Sequence, residues 1–356
     1  MYVAIKNKFG FVEAGSSKKT LVNSLIGFNH KNEYDCELKK LNSIISLEDK
    51  PDIISDLSTI RVNTTETIWY KVANETQCVS ATLPIYLVKT KNNKIDDNEL
   101  LEIIIEQMEY GVGLITIHPT ANKEIFNFSR KRLVPITSRG GGMVVKDLIS
   151  NEFKDVNVYL RLLPKIIHYA QKYGVTLSIG TTFRSGNIFD TNDEAQNKEI
   201  ELQITLAKLI SQQNVGVIIE APGHARPCDI KIISAILRST GFPIMPLGPI
   251  PTETAVGMDH ISGAIGATIM GLENCADILA TVTREEHTGG RPTMEATIEA
   301  VKVAKVAAHI IDIHKIDDTA ADMKITKSRV KSHSCVSGKI TKYCDRCQEL
   351  CPLMIR

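Results

Sequence analysis

Short apolar runs alternate with longer amphipathic stretches between about residue 50 and residue 312. Runs of this kind are typical of buried strands in a parallel sheet, and the amphipathic stretches are typical of helices packed against it. The predicted strands are Asp52–Leu57, Thr82–Leu87, Leu114–His118, Val134–Thr137, Thr176–Ile179, Val215–Glu220, Pro243–Leu247, Ala267–Met270 and Ile278–Val282. The predicted helices are Asp97–Tyr110, Val156–Tyr173, Glu194–Gln213 and Met294–Ile313.

The number of strands favours a closed barrel over an open, doubly wound sheet. Eight or nine strands in roughly 260 residues are typical of a (β/α)₈ TIM-type barrel. A doubly wound sheet would place a glycine-rich dinucleotide turn after the first strand, and the sequence has none there. We therefore predict an α/β barrel over residues 51–313, a small N-terminal region at 1–50, and a flexible, polar tether and tail at 314–356.

Charge and hydropathy narrow the class of partner. The 42 lysines and arginines nearly balance the 41 aspartates and glutamates, so no overall field favours nucleic acid or an anionic membrane. The first residues lack the apolar core of a signal peptide, and no apolar run approaches the roughly 20 residues that span a bilayer. We expect a cytoplasmic protein that acts on a small molecule, without a nucleic-acid or membrane partner.

Three of the eight cysteines, Cys344, Cys347 and Cys351, lie within the last 13 residues. They are close enough for one soft metal centre to bind all three. A [4Fe–4S] cluster held by three thiolates leaves one iron open to a chelating ligand such as S-adenosylmethionine. The alternatives are a zinc knuckle completed by Cys335 or His333, and three free thiols.

Polar residues follow several predicted strands at the carboxyl end, where barrel enzymes place their active sites. Each of them could instead be a strand cap or a turn residue. The candidates are Ser58, His118, Ser138, Arg139, Gly140, Arg184, Glu220, His224, Glu286 and His287.

Two kinds of chemistry stand out among these candidates. His224 and His287 follow two strands at equivalent positions, and such a pair predicts an open metal site that acts as a Lewis acid, although a single loop histidine is more often only hydrogen-bonded. Arg139, beside glycines, and Arg184 predict two loops that bind a phosphate or carboxylate, with a flexible turn as the alternative.

Ten strings of residues, in this order, resemble the family of 4-amino-5-hydroxymethyl-2-methylpyrimidine phosphate synthase, which makes the thiamin pyrimidine. The family includes a paralogue, 5-hydroxybenzimidazole synthase of anaerobic cobamide (vitamin B12) biosynthesis. The resemblance spans about residues 50–310 and the cysteine tail. The strings are Asp56-Leu-Ser-Thr59, Leu83-Pro-Ile-Tyr86, Thr116-Ile-His118, Ser138-Arg-Gly-Gly141, Arg184-Ser-Gly186, Asn192-Asp-Glu-Ala-Gln196, Glu220-Ala-Pro-Gly-His224, Leu247-Gly-Pro249, Asp259-His-Ile261 and Glu286-His287.

The resemblance implies a radical S-adenosylmethionine enzyme, a carbon–carbon lyase, that acts on 5-aminoimidazole ribotide as a homodimer and takes electrons from a flavodoxin or ferredoxin. It implies zinc at His224 and His287 and a [4Fe–4S] cluster at the three tail cysteines. It also implies ribotide contacts at Asn23, Tyr86, His118, Ser138, Arg139, Gly140, Arg184 and Glu220. Among these, His118, Glu220 and Arg184 are the predicted catalytic residues.

Departures from the pyrimidine enzyme led us to favour the benzimidazole paralogue. That enzyme has Asp-Gly-Leu-Arg where this chain has Thr181-Thr-Phe-Arg184, which removes a carboxylate from a polar pocket. Its ribotide-binding asparagine maps near Leu25, with Asn23 close by, and its tyrosine maps near Met245. The second cysteine gap is three residues here and four in that enzyme.

The main expectation is therefore 5-hydroxybenzimidazole, formed through a 5′-deoxyadenosyl radical. The first alternative is the pyrimidine phosphate, made from the same substrate. The others are an inactive chain that needs a homologous second subunit and a zinc hydrolase that uses His224 and His287.

Overall fold

A β-hairpin precedes the first barrel strand. The computed structural model describes residues 2–332, 334–336 and 346–354. In the hairpin, β1 (Tyr2–Asn7) pairs antiparallel with β2 (Gly10–Gly15). Its side chains Val3, Ile5 and Ala14 join the core inside the barrel, so the hairpin covers the amino-terminal end of the strands.

Eight parallel strands form one sheet, in the order β10, β3, β4, β5, β6, β7, β8, β9. They are β3 (Leu21–Ile26), β4 (Ile53–Asp56), β5 (Val79–Thr82), β6 (Leu114–Ile117), β7 (Thr176–Ile179), β8 (Val217–Ala221), β9 (Ile244–Pro246) and β10 (Ile278–Ala280). Asp277, directly before β10, closes the sheet onto β9, because its backbone N–H donates to the Ile244 carbonyl at 2.9 Å. Its own carbonyl accepts from the Leu21 N–H of β3 at 2.9 Å. The predicted TIM-type barrel is confirmed.

The helices of the barrel follow its strands, and their apolar faces pack on the outside of the sheet in the largest core cluster. Several begin at a side chain that caps the first turn: Asp96 accepts from Asn98 and Glu99, and Asp193 accepts from Gln196. The helices are α1 (Tyr34–Ile45), α2 (Ile68–Glu75), α3 (Asp97–Glu109), α4 (Lys123–Ser129), α5 (Arg139–Ser150), α6 (Val158–Tyr173), α7 (Glu194–Ser211), α8 (Pro227–Arg238), α9 (Asp259–Leu272), α10 (Met294–Ile316) and α11 (Ala320–Ser332).

The barrel begins earlier than we predicted. β3 lies within residues 1–50, which we expected to precede the barrel, and it pairs with both β4 and β10. Its sequence does not alternate cleanly, since Asn23 and Ser24 are both buried, one on each face. The usual apolar signal of a barrel strand is therefore weak here.

Three of the predicted strands are wrong or displaced. Residues 134–137 form no strand, and residues 267–270 lie inside α9, which is apolar on nearly all sides and so hides its helical period. The strand predicted at Thr82–Leu87 ends at Thr82, and Pro84–Leu87 forms a 3₁₀ helix instead. Proline at the start of that turn removes a donor that a sheet would need.

The segment after the barrel is partly helical, where we predicted a flexible tether. α11 carries Lys324, Lys327, Arg329 and Lys331, and none of its residues is buried. Lysine and arginine favour helices, so a polar segment can be helical without packing on a core. In the described parts of the chain, no helix combines the length and apolar character needed to cross a membrane.

Asp277 also holds the barrel closed through its side chain. Its carboxylate accepts from the Ile244 N–H at 2.9 Å and from the Lys315 ammonium at 2.8 Å, and both side chains of this ion pair are buried. We expect Asp277→Ala to lower the free energy of unfolding by about 3–5 kcal/mol, because a buried lysine loses its counter-charge. Urea denaturation followed by circular dichroism measures this change.

The matched control is Glu273→Ala, which removes a half-exposed carboxylate 3.8 Å from Arg238. That control should change the free energy of unfolding by less than about 1 kcal/mol. Equal losses in both variants would contradict the role of Asp277.

Candidate active site

Glu220 lies near the carboxyl end of β8 with its side chain buried. Its carboxylate accepts from the hydroxyls of Thr116 on β6, at 3.2 Å, and Ser178 on β7, at 3.3 Å. The backbone N–H of Thr181 donates to it at 3.4 Å. Burial raises the pKa of Glu220 above its ordinary value, while Arg184 and these hydrogen bonds act in the opposite direction. Glu220 is therefore a buried acid held by three strands.

His118 follows β6 and is also buried, and its Nδ1 has no hydrogen-bond partner within the described residues. Burial, and then the positive charge of Arg184, lower its pKa to about 3, so the imidazole is neutral at pH 7. A side chain on Gly140 would have its Cβ only 2.6 Å from the ring, and one on Gly180 would have it 3.0 Å away. The two glycines allow the backbone to pack directly against this imidazole.

The glycine-rich segment after residue 137 is the first turn of α5, where we predicted a loop. Ser138 caps the helix by accepting from the Gly141 N–H at 3.1 Å. Arg139 is exposed, and its guanidinium carbon lies 5.1 Å from the centre of the Tyr86 ring. Burial raises the pKa of Tyr86, while the charges of Arg184 and Arg139 oppose that shift. The structure therefore places Tyr86, Arg139 and Gly140 beside His118.

Arg184 is the common neighbour of these groups. Its charge acts on His118, Tyr86 and Glu220. The aliphatic part of its side chain passes over Gly223, where an added Cβ would lie 3.2 Å from Arg184 Cδ. One end of the barrel thus brings together the three predicted catalytic residues.

His224 and His287 meet although they follow different strands. Their ring centres are 4.9 Å apart, and the rings are nearly perpendicular. Nδ1 of His224 lies 2.9 Å from a carboxylate oxygen of Glu253, and Nδ1 of His287 lies 2.7 Å from one of Asp259. Carboxylates at Nδ1 orient imidazoles for binding a metal through Nε2.

Among the described residues, no third side chain joins the two histidines in a metal site. In the part of the chain that the structure describes, no group of three or more histidine, cysteine, aspartate or glutamate side chains could hold a metal ion. A metal on the two histidines would therefore keep positions open for water or a substrate group, as catalytic zinc sites do.

The remaining predicted site residues are Asn23, in the first barrel strand, and the cysteines near the end of the chain. Asn23 is buried in β3, where its amide accepts from Ser55 at 3.0 Å and donates to the Met245 sulfur at 3.7 Å. Cys347 and Cys351 flank a 3₁₀ turn at Gln348–Leu350, and both are partly exposed. Cys344 and His333 lie outside the described residues.

Sequence reasoning missed the groups that hold the candidates in place. Thr116 and Ser178 lie on the same face of neighbouring strands as Glu220, and the two-residue period of β6 and β7 is the signal that could have found them. Asp259 was part of a quoted string, but nothing in the sequence tied it to His287. Glu253 carried no signal in the sequence.

Polar and ionisable residues gathered at the carboxyl end of a barrel are typical of a barrel enzyme. The model of the Radical SAM ThiC family matches residues 2–353, and the chain belongs to this family. Chemistry of the radical S-adenosylmethionine class uses S-adenosylmethionine and a [4Fe–4S] cluster.

Several relatives carry the same name. A phosphomethylpyrimidine synthase of Alkaliphilus oremlandii is 32% identical over 329 residues, covering 89% of this chain and 73% of that protein. The enzymes so named from Clostridium acetobutylicum and Archaeoglobus fulgidus are 33% and 30% identical, covering 89% and 85% of this chain and 73% and 71% of their own lengths. These names favour the pyrimidine product, which is our alternative, over the benzimidazole.

A dihydropteroate synthetase structure has a TM-score of 0.48 at 10% identity, with 86% of this chain and all of that chain covered.

Gly141 and Gly142 provide a matched test of the packing around the site. A Cβ on Gly141 would lie 2.6 Å from Thr182 Cα, whereas one on Gly142 would meet nothing closer than Ile136 at 3.8 Å. We expect Gly141→Ala to lower the free energy of unfolding by about 1–3 kcal/mol, because the backbone of Thr182 must move.

Gly142→Ala should be neutral or stabilise the protein by up to about 1 kcal/mol, since alanine favours the helix. Chemical denaturation of both variants measures the difference. If the two substitutions had the same effect, the close approach of α5 to the loop after β7 would be wrong.

Proposed function

We propose that this chain converts 5-aminoimidazole ribotide into a pyrimidine phosphate, the product named for its relatives. Membership of the radical S-adenosylmethionine family carries this proposal. The geometry supports it, since a buried acid, a neutral imidazole and two guanidinium groups lie together at the carboxyl end of the barrel. A phosphorylated, hydroxyl-rich substrate needs cations for its phosphate and polar groups for its ribose.

Each predicted residue has a role that follows from its state. Arg139 and Arg184 bind the phosphate, because they are the cations next to the site. His118 is neutral, so its unpartnered Nδ1 can donate to or accept from the ribose without a change of charge. Burial raises the pKa of Glu220, and we propose this carboxyl as the group that exchanges a proton with the substrate.

Cys344, Cys347 and Cys351 are the proposed ligands of the [4Fe–4S] cluster. When bound, the cluster supplies the electron that cleaves S-adenosylmethionine to start radical chemistry on the ribotide. The residues of the barrel orient the substrate and exclude water from it. A flavodoxin or ferredoxin is the proposed source of the electron.

His224 and His287 are the proposed zinc ligands. The residues fit the metal, because a carboxylate occupies Nδ1 of each ring and leaves Nε2 for coordination. Zinc there would supply a Lewis acid with open positions.

A homodimer is the proposed assembly. α9 and α10 form a groove of about 500 Å³ with a strongly apolar lining. Ile265 and Val306 in this groove are 53% and 62% exposed, which is unusual for a face that stays in water.

A second candidate function is the synthesis of 5-hydroxybenzimidazole, by this chain alone or with a homologous second subunit. The observation that favours it is Thr181, which replaces a family aspartate. Its hydroxyl is buried and has no hydrogen-bond partner among the described residues. A short hydroxyl in place of a carboxylate removes an acceptor for ribose and changes how the ribotide is held.

The test of the function is anaerobic cluster reconstitution with 5-aminoimidazole ribotide, S-adenosylmethionine and a reductant. We expect 5′-deoxyadenosine and hydroxymethylpyrimidine phosphate by mass spectrometry, and neither from the variant with Cys344, Cys347 and Cys351 all replaced by alanine. A benzimidazole product would establish the second candidate instead. Full turnover by the triple variant would reject radical chemistry at the tail.

The metal proposal predicts one zinc ion per chain, lost when either histidine is replaced. His224→Ala and His287→Ala should each lower the bound zinc at least tenfold, because a single imidazole holds zinc weakly. Elemental analysis after dialysis measures this independently of turnover. His168→Ala, which changes an exposed histidine of α6, is the control, and unchanged zinc in the first two variants would place the metal elsewhere.

A further inference from the structure

Two charged side chains hold the backbone of Phe183, the residue that directly precedes Arg184. The N–H of Phe183 donates to the carboxylate of Glu199 at 2.8 Å, and the carbonyl of Phe183 accepts from Arg132 at 2.6 Å. Glu199 and Arg132 are both buried. Because the backbone of Phe183 is held at both its N–H and its carbonyl, the residue that follows it has little freedom to move.

Glu199 also joins this loop to the one that carries His118. Its other carboxylate oxygen accepts from the Thr182 N–H at 2.7 Å and from the Thr120 hydroxyl at 2.5 Å. Thr120 lies two residues after His118. One carboxylate therefore ties the loop after β6 to the loop after β7.

Arg132, which holds the Phe183 carbonyl, is itself fixed by α7, the helix that carries Glu199. Arg132 donates to both carboxylate oxygens of Asp193, at 2.5 and 2.7 Å, and Asp193 caps the first turn of α7. Glu199 lies further along α7. A single rigid helix thus sets both contacts to Phe183.

We propose that Glu199 is a positioning residue, which fixes Arg184 for binding the phosphate of the substrate without touching the substrate itself. The inference rests on the proposed function for the identity of that substrate. An arginine side chain loses much rotational freedom when it binds an anion, so a loop that is already ordered lowers this cost. The predicted phosphate role of Arg184 then depends on a residue outside the site.

A carboxylate is costly at this position, which argues that its hydrogen bonds are needed. Burial raises the pKa of Glu199 to about 7, although three hydrogen bonds and Arg132 act against the shift. Because the pKa is raised on folding, ionisation of Glu199 lowers stability as pH rises from 4.5 towards 7. A glutamine would avoid this cost. However, its NH₂ group is a donor, and it would face a backbone N–H or the Thr120 hydroxyl, which are donors as well.

The test is a double-mutant cycle on binding to the full-length protein, measured by calorimetry with 5-aminoimidazole ribotide and, separately, with inorganic phosphate. We expect Glu199→Gln to weaken ribotide binding about tenfold in the wild-type background, which corresponds to about 1.4 kcal/mol. In the Arg184→Ala background, the same substitution should change binding less than about twofold, because the group that it positions is gone.

Glu201→Gln is the matched control, since Glu201 lies on the exposed side of the same helix. If Glu199→Gln folds poorly, Arg132→Met removes the hydrogen bond to the Phe183 carbonyl and should give the same pattern in the cycle. An equal loss of binding in both backgrounds, or no loss in the wild type, would overturn the inference. Failure of wild-type protein to bind ribotide while it still binds phosphate would instead reject the proposed substrate.

Discussion

Closure of the sheet at Asp277 is the constraint on which the rest of the structure depends. In the order of the strands, β8 and β10 lie near opposite edges, and only closure makes them near neighbours. His224 follows the first and His287 the second, so their contact exists because the barrel is closed. The buried ion pair between Asp277 and Lys315 stabilises this closure in addition to the hydrogen bonds. The contact between the two histidines and the stability of the fold therefore both depend on Asp277.

At the carboxyl end of the closed barrel, the positive charge of Arg184 acts on His118, Tyr86 and Glu220. Low solvent access makes each charge act strongly on its neighbours. Burial keeps His118 neutral and the guanidinium of Arg184 adds to this effect, while on Glu220 the same guanidinium partly offsets the effect of burial. This arrangement suits a reaction in which a bound cofactor supplies the radical and the protein supplies orientation and proton transfer. Arg184 therefore links the ionisable groups of the site to α7, the helix that holds the residue before it.

The proposed choice between the two products concerns a small part of this site. The barrel fold and membership of the Radical SAM ThiC family are established for this chain. Thr181, next to Glu220, is the residue at which we expect hydrogen bonding to differ from that of the pyrimidine enzymes. One missing acceptor can redirect a polar substrate, because a buried hydroxyl left without a partner costs free energy.

The sequence by itself determined the barrel, most of its strands and the catalytic candidates, because apolar runs and helical periods are local signals and strand ends always meet at one edge. The sequence analysis missed β3, whose buried polar residues break the pattern, and it predicted a strand within α9, whose sides are nearly all apolar. Only the tertiary structure decided that Glu199 and Asp259 support the site. Their hydrogen bonds join segments far apart in the chain, and no local pattern records which distant donors a buried carboxylate will meet.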